Sequence, residues 1–343
     1  MITVIDNASL RSHNTFRMDV TARRLITFTS AEDIPAVAAM TEGEPRIVIG
    51  DGSNLLFTGD FPGAVLRSNI LTLEAEITPD GDMLITVGSG MEFDSIIEYV
   101  CRAGRWGMEN LTDIPGQVGA SAVQNIGAYG VEVADIIEHV RAYDTLTHKF
   151  VTLTVNDCNY AYRDSLFKLE RGRYIVSEVI FRLSASLGPK LDYGNLRSEL
   201  PADESSLSPM MVREAVRRIR AAKLPDPDII GSAGSFFKNP VVTEEDYKRV
   251  VDVAVREFGS DTKVPHYLLS DGMVKIPAAW LIEKAGWKGR TLGNAAVWHL
   301  QPLIIVNATG HATPDEIIHL EQEVQSSVKS LFDISLSPEV DHI

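Results

Sequence analysis

The clearest periodicity in the chain is carried by Phe93, Ile96, Ile97 and Val100. This i, i+3, i+4, i+7 spacing predicts an amphipathic helix over 93–103, closed by Gly104. A second stripe, Val212, Ala215, Val216 and Ile219, predicts a helix with Arg213, Arg217 and Arg220 on another, solvated face. A third opens on Thr313-Pro314-Asp315-Glu316, a capping box with proline at the first helical position, and should bury Ile317, Leu320, Val324, Val328 and Leu331. Between these, the pattern predicts a short helix over 32–40, strands over 46–49 and 63–67, and two strands within 71–88 joined by a turn at Pro79-Asp80-Gly81-Asp82. Several more strands are expected over 135–185, ending in Tyr174–Phe181. Residues 112–130 are too rich in glycine and small side chains for a long element, and the polar stretch 184–208 reads as a linker or loop. The sum is an α+β chain with a mixed α/β part first, a boundary near residue 205, and a smaller α+β part after it.

At 343 residues and 45% hydrophobic composition the chain can bury a large core and suits two or three domains. Its net charge of −15 disfavours nucleic acid and anionic membranes as partners. That charge also makes any clustered cations near an anionic ligand more telling. Cys101 and Cys158 have no CxxC spacing and read as buried thiols of a reducing compartment. The sequence from Met1 to Asp6 has no secretory pattern, and no stretch reaches the ~18 apolar residues of a membrane span, so a soluble cytoplasmic protein is expected.

Two glycine-rich segments carry chemistry. In Ile49-Gly50-Asp51-Gly52-Ser53-Asn54-Leu55, two glycines let the backbone approach a ligand, and successive N–H groups suit a pyrophosphate. An ordinary glycine turn after a strand would look the same. The segment from Ile114 to Gly130 holds four glycines and three alanines and has so little bulk that it can lie flat against a large planar ligand. A tight crossing in the core would share that property, but leaves Gln124, Asn125 and Tyr129 unexplained.

These two segments resemble the flavin-binding domain of the vanillyl-alcohol-oxidase type. Tyr162-Arg163-Asp164-Ser165 and Gly234-Ser235-Phe236-Phe237-Lys238-Asn239-Pro240, following them in order, extend the resemblance to the UDP-N-acetylenolpyruvoylglucosamine reductases. It runs from Asn14-Thr15-Phe16 to Pro338-Glu339-Val340. It implies two FAD-binding lobes, 1–68 and 69–205, and a substrate-binding domain, 206–343. It also implies noncovalent FAD, since neither glycine-rich segment contains His or Cys, and NADPH as hydride donor. The flavin would be held by Gly50, Asp51, Gly52, Ser53, Asn54 and Leu55, and by Ile114, Pro115, Gly116, Gly119, Ala120, Gln124, Asn125, Gly127 and Ala128.

The same resemblance assigns three catalytic residues. Arg163 would hold the substrate carboxylate as charge develops on it, a task a planar guanidinium suits. Taken alone, it reads equally as a salt bridge to Asp164 or Glu170. Ser235 would protonate the substrate carbon, with Ser232 a nearby competitor. Glu339 would hold the proton-relay geometry or help stabilise the intermediate. On its own it reads as an exposed charge on a tail whose order is open. Tyr129, Tyr193, Lys223, Asn239 and Gln301 are candidate substrate contacts. His299, His311, His319 and His342 lack metal-ligand spacing and read as surface or packing residues. Small-molecule substrates and a monomer are expected. A flavin oxidase using O₂, or a nucleotide-binding scaffold without chemistry, are the competing readings.

Overall fold

The structure, a computed structural model, describes residues 1–343 and divides the chain into two compact units. Unit 1 consists of Met1–Ser9, Thr21–Asp51 and Phe61–Ala222, and unit 2 of Leu10–Val20, Gly52–Asp60 and Lys223–Ile343. The break at Ala222/Lys223 lies beyond the boundary expected near 205, and two short early segments leave unit 1 for unit 2.

Unit 1 contains two sheets. The four-stranded one runs in the order Ile2–Ser9, Thr21–Phe28, Phe61–Ser68, Arg46–Ile49; its first pair is antiparallel and the other two pairs are parallel. Helix α1 (Ile34–Met40) seals it, burying Ile34, Val37 and Ala38. A five-stranded antiparallel sheet follows, in the order Lys149–Thr154, Ile137–Asp144, Tyr174–Leu183, Met83–Gly88, Leu73–Ile77. Helix α2 (Phe93–Arg102) lays the predicted stripe Phe93, Ile96, Ile97 and Val100 into one core with Val140, Val179 and Phe181. Gly104, at φ +70°, follows its end, where a residue without Cβ adopts the left-handed turn at no steric cost. The segment 112–130 contains a two-turn helix, α3 (Val118–Gln124). Helices α4 (Leu166–Leu169) and α5 (Pro209–Ala221) complete the unit.

Helix α5 corrects one expectation. Arg217 is exposed, but Arg213 is 2% exposed and Arg220 is half-buried. Both terminal nitrogens of Arg213 bond the Asp94 carboxylate of α2 at 2.6 Å. Burial favours the neutral acid at Asp94. The bonds from Arg213 and from the Asp113 N–H outweigh that and hold the carboxyl below its usual range. Residues 184–208 are also less linker-like than their polarity suggests. Leu191, Leu196 and Leu207 pack on Val212, Ala215 and Val216 of α5.

Unit 2 is built on an antiparallel sheet in the order Gly231–Ser235, Ile304–Asn307, Ala295–Val297, Thr291–Leu292. A three-stranded sheet (Val241–Val242, Val274–Lys275, Tyr267–Leu268) and helices α6 (Glu244–Phe258), α7 (Ala278–Lys284) and α8 (Pro314–Phe332) complete the unit, with α8 packed on the four-stranded sheet and α6 and α7 on α8. The predicted capping box at the head of α8 is formed, Thr313 and Glu316 exchanging side-chain-to-backbone bonds. Near its end Phe332 is buried while Leu331 stays partly exposed, one position off the expected stripe. Asp341–His342 pairs in parallel with Leu55–Leu56, so the segment that follows Glu339 is ordered. No helix is long and apolar enough to cross a membrane.

Candidate active site

In unit 1 the two expected flavin segments meet. A Cβ on Gly50 would lie 3.2 Å from the Ala120 Cβ and 3.4 Å from that of Gln117, so the absence of a side chain at Gly50 lets the first loop rest closely on α3. Gly119 is held as closely on its other side, with Ser89 Cβ at 2.8 Å from where its own Cβ would stand. Asp51 is bound at 2.8 Å by Arg67. Gly116, at φ +127°, turns the chain into α3, and its carbonyl accepts from the Phe93 N–H at 3.0 Å. Ile114 and Pro115 lead into that turn.

The end of α3 leads to Arg163. Asn125, fully buried at φ +46°, caps the helix in the left-handed region that Asn tolerates best among larger residues. Its amide donates to Glu132 Oε2 and to the Ala161 carbonyl, both at 2.9 Å, and its Oδ1 accepts from the Ala134 N–H at 3.2 Å. Its side chain is thus committed to holding the loop that carries Arg163. Arg163 itself has φ +57°, an uncommon conformation for a long side chain. Its guanidinium donates to the carbonyls of Gly127 at 2.6 Å and Asn125 at 3.4 Å and lies 5.2 Å over the Tyr162 ring. A Cβ on Gly127 would stand 3.0 Å from Arg163 Nη1, so this glycine, with Ala128 after it, clears the space the guanidinium needs. Ser165 fastens the same loop to α3 through a 2.6 Å bond to the Val123 carbonyl. Lys168 Nζ bonds Gln124 Oε1 at 2.9 Å.

Tyr129 and Tyr193 meet edge to face at 6.0 Å. Burial raises the Tyr129 phenol above its usual value, with Arg220 opposing. Asn110 joins their two segments, donating at 2.8 Å to the carbonyls of both Tyr129 and Lys190. Arg220 donates to the Asp113 carbonyl at 3.1 Å, one residue before Ile114.

In unit 2 the strand Gly231–Ser235 breaks register with its neighbour between Ser232 and Ser235, and Gly234 takes φ +70°. Such a bulge re-aims a side chain. Here it separates the two candidate serines. Ser232 is buried, its N–H bonded to the Thr15 carbonyl at 3.1 Å and its carbonyl to Thr15 Oγ1 at 2.5 Å. Ser235 is exposed. Glu339 lies on a segment bonded alongside. Its N–H donates to the Phe236 carbonyl at 2.8 Å, and Lys238 N–H to the Ser337 carbonyl at 2.9 Å. Asn54, expected at the flavin, donates its amide to the Glu339 carbonyl at 3.2 Å. Gly52 at φ +67° sits so close to His13 and Asn14 that any Cβ would be 2.4 Å from the His13 carbonyl oxygen. Ser53 follows it, and Leu55 opens the short strand paired with Asp341–His342. Lys223 is exposed, Asn239 Oδ1 accepts from the Ala278 N–H at the head of α7, and Gln301 Oε1 accepts from the Leu303 N–H.

The bracing roles of Thr15, Asn54, Asn125 and Arg213 were not read from the sequence. Each depends on at least one partner remote in the chain, and only the polar residues Asn54 and Asn125 inside the glycine-rich segments and the Asn14-Thr15-Phe16 stretch stood out in the sequence.

A family model described as the C-terminal domain of UDP-N-acetylenolpyruvoylglucosamine reductase matches residues 226–343, and an FAD binding domain model matches residues 22–150. The chain is 41% identical over 337 residues to a UDP-N-acetylenolpyruvoylglucosamine reductase of Bacteroides fragilis, covering 98% of each chain. It is 39% identical over 338 residues to that of Chromobacterium violaceum, covering 97% of each. Among solved structures, a UDP-N-acetylenolpyruvylglucosamine reductase from Thermus caldophilus superposes with a TM-score of 0.68 at 23% identity, covering 100% of this chain and 98% of that one, a likeness of fold.

Proposed function

Because the chain belongs to the UDP-N-acetylenolpyruvoylglucosamine reductase family, we infer that it is the FAD-containing, NADPH-dependent oxidoreductase that converts UDP-N-acetylenolpyruvoylglucosamine to UDP-N-acetylmuramate for peptidoglycan synthesis. The residues present fit FAD. The two segments expected to hold it approach each other at Gly50, Gln117 and Ala120, and the glycines Gly50, Gly116 and Gly119 leave backbone there without a covering side chain. Gly50, Asp51, Gly116, Gly119, Ala120 and Gly127, all in unit 1, are the groups that would hold it.

The chemistry FAD supplies when bound is hydride transfer, in from NADPH and out to the vinyl methylene carbon of the substrate. The protein's own part is electrostatic and acid–base. Arg163 binds the substrate carboxylate, and its cation stabilises the enolate-like charge that grows there as the methylene carbon gains a hydride. Its guanidinium is held ready by two carbonyls, the Tyr162 ring and the gap at Gly127. Ser235 Oγ gives its proton to the neighbouring carbon. An alcohol is a weak acid, so this step needs a strongly basic acceptor and good positioning, and an enolate carbon provides the first. Glu339 is the nearby carboxylate that sets the geometry of the serine and restores its proton. Tyr129, Tyr193, Lys223, Asn239 and Gln301 bind the rest of the sugar nucleotide. Asn239 and Gln301 can do so with their amide nitrogens while their oxygens accept from the Ala278 and Leu303 N–H groups. The protein acts in the cytoplasm as a monomer, in a step on which cell shape and division depend.

The observation that carries the residue assignment is the bulge that exposes Ser235 while burying Ser232, with Glu339 on the segment bonded beside it. The test is anaerobic reduction of the yellow protein with NADPH, followed by mixing with the enolpyruvyl nucleotide. Rapid return of the oxidised flavin band is expected. A flavin that stays reduced until air enters would instead mark an oxidase.

A further inference from the structure

Unit 2 contains a buried charge that the mechanism above does not use. Glu321, on the inner face of α8, has a side chain only 9% exposed. A carboxylate is seldom so enclosed without a partner. It has two. Gln325, one turn further along α8, donates its amide to Glu321 Oε1 at 3.3 Å and to the Leu336 carbonyl at 3.2 Å. His342 Nε2 stands 2.9 Å from Glu321 Oε2. The His342 ring also meets Phe236 edge-on, 6.0 Å between centroids. Helix α8 therefore grips the 336–342 segment at both ends. Glu339 is the middle one of the five residues between the grips, and the residue before Phe236 is Ser235.

The charged groups that face His342 are Glu321 from α8 and Asp341 beside it in sequence. The bond from Glu321 raises the imidazole pKa above its usual value, with burial opposing.

We propose that Glu321 and His342 are positioning residues for proton transfer, an ion pair that keeps the Glu339 segment seated against the strand carrying Ser235. The proposal rests on the roles given above to Ser235 and Glu339. Because the folded-state pKa of His342 is raised, the pair is intact below the ordinary histidine value of ~6.5 and is lost as pH rises through the raised value. Re-oxidation of the reduced flavin by the enolpyruvyl nucleotide should then slow on the alkaline side, whereas flavin reduction by NADPH should not.

The test measures the two half-reactions separately in full-length enzyme, across pH, for His342→Phe, Glu321→Gln, the double variant and Ser235→Ala. His342→Phe keeps a ring against Phe236 and removes the ion pair together with the ring's bond to the Val340 backbone, which Glu321→Gln leaves in place. Each single variant should slow the substrate half-reaction by about tenfold to a hundredfold, the range expected when a reacting group is misplaced by about an ångström. The double variant should be no slower than either single one. The alkaline limb should disappear in all three, and the NADPH half-reaction should stay within about twofold. Amide exchange at Glu339 and Asp341 should rise in every pair variant, a readout that a rate change elsewhere would not move. Wild-type rates, limb and exchange in the pair variants, alongside a crippled Ser235→Ala, would overturn the proposal and leave the serine assignment standing. A Ser235→Ala enzyme that keeps its substrate half-reaction would remove the assignment on which the proposal rests.

Discussion

Ser235, proposed above as the proton donor, is exposed by a break in strand register that leaves Ser232 buried. Replacing it with alanine should leave NADPH-driven flavin reduction within about twofold and cut turnover by ~100-fold or more, the usual range for losing a general acid. Anaerobic single-turnover traces check both halves. Gly127→Ala tests Arg163 without touching it. The added methyl has only 3.0 Å to the guanidinium and 2.9 Å to the Val131 carbonyl, so Arg163 must move and kcat/KM for the nucleotide should fall, while the rate of flavin reduction holds. Asp144 belongs to stability instead. Two bonds from Arg173, at 2.8 and 3.0 Å, hold its carboxyl far below the usual range. A depressed carboxylate pKa contributes stability that is full above the unfolded value of ~3.9 and lost as pH falls through the folded value. Asp144→Asn should therefore destabilise the protein at pH 7 by about 1–3 kcal/mol, with a much smaller difference near pH 2, as urea melts would show.

Elements with a strong local signal were legible from the sequence, and elements whose partners lie far away in the chain were not. Helices α2 and α8 announced themselves through periodicity and, for α8, a capping box. Helix α3 was hidden because Gly119, Ala120, Ser121 and Ala122 carry no amphipathic stripe, although two of its bounding residues, Gln124 and Asn125, stood out as polar interruptions. Arg213 was misplaced on a solvated face because its partner, Asp94, is on α2, and no pattern within α5 points to it. The leucines of 184–208 were lost among polar neighbours for the same reason. Arg213 offers the sharper test. Arg213→Met leaves Asp94 half-enclosed and without its cation, which should cost about 3–5 kcal/mol in urea or thermal unfolding. Thr313→Ala, removing a cap of α8, should cost only ~1 kcal/mol.

At the scale of the whole molecule, the glycine-rich motifs and the Gly234–Pro240 stretch led from the sequence to the family, and the relatives bear out the flavoenzyme reading. The composition of unit 2 was not visible. It draws on Leu10–Val20 and Gly52–Asp60, because Thr15 braces Ser232 and Asn54 braces Glu339. Residues 223–343 expressed alone should consequently show poor amide dispersion and a broad unfolding transition, and a sharp, cooperative melt would count against that dependence.

The same interleaving bears on how such a protein can change over long descent. A recombination event that moved residues 223–343 into another flavoprotein gene would transfer the serine and the glutamate but leave Thr15 and Asn54 behind. The transplanted strand and tail would arrive without two of the hydrogen bonds that hold them here, and a working exchange would have to carry residues 10–20 and 52–60 as well.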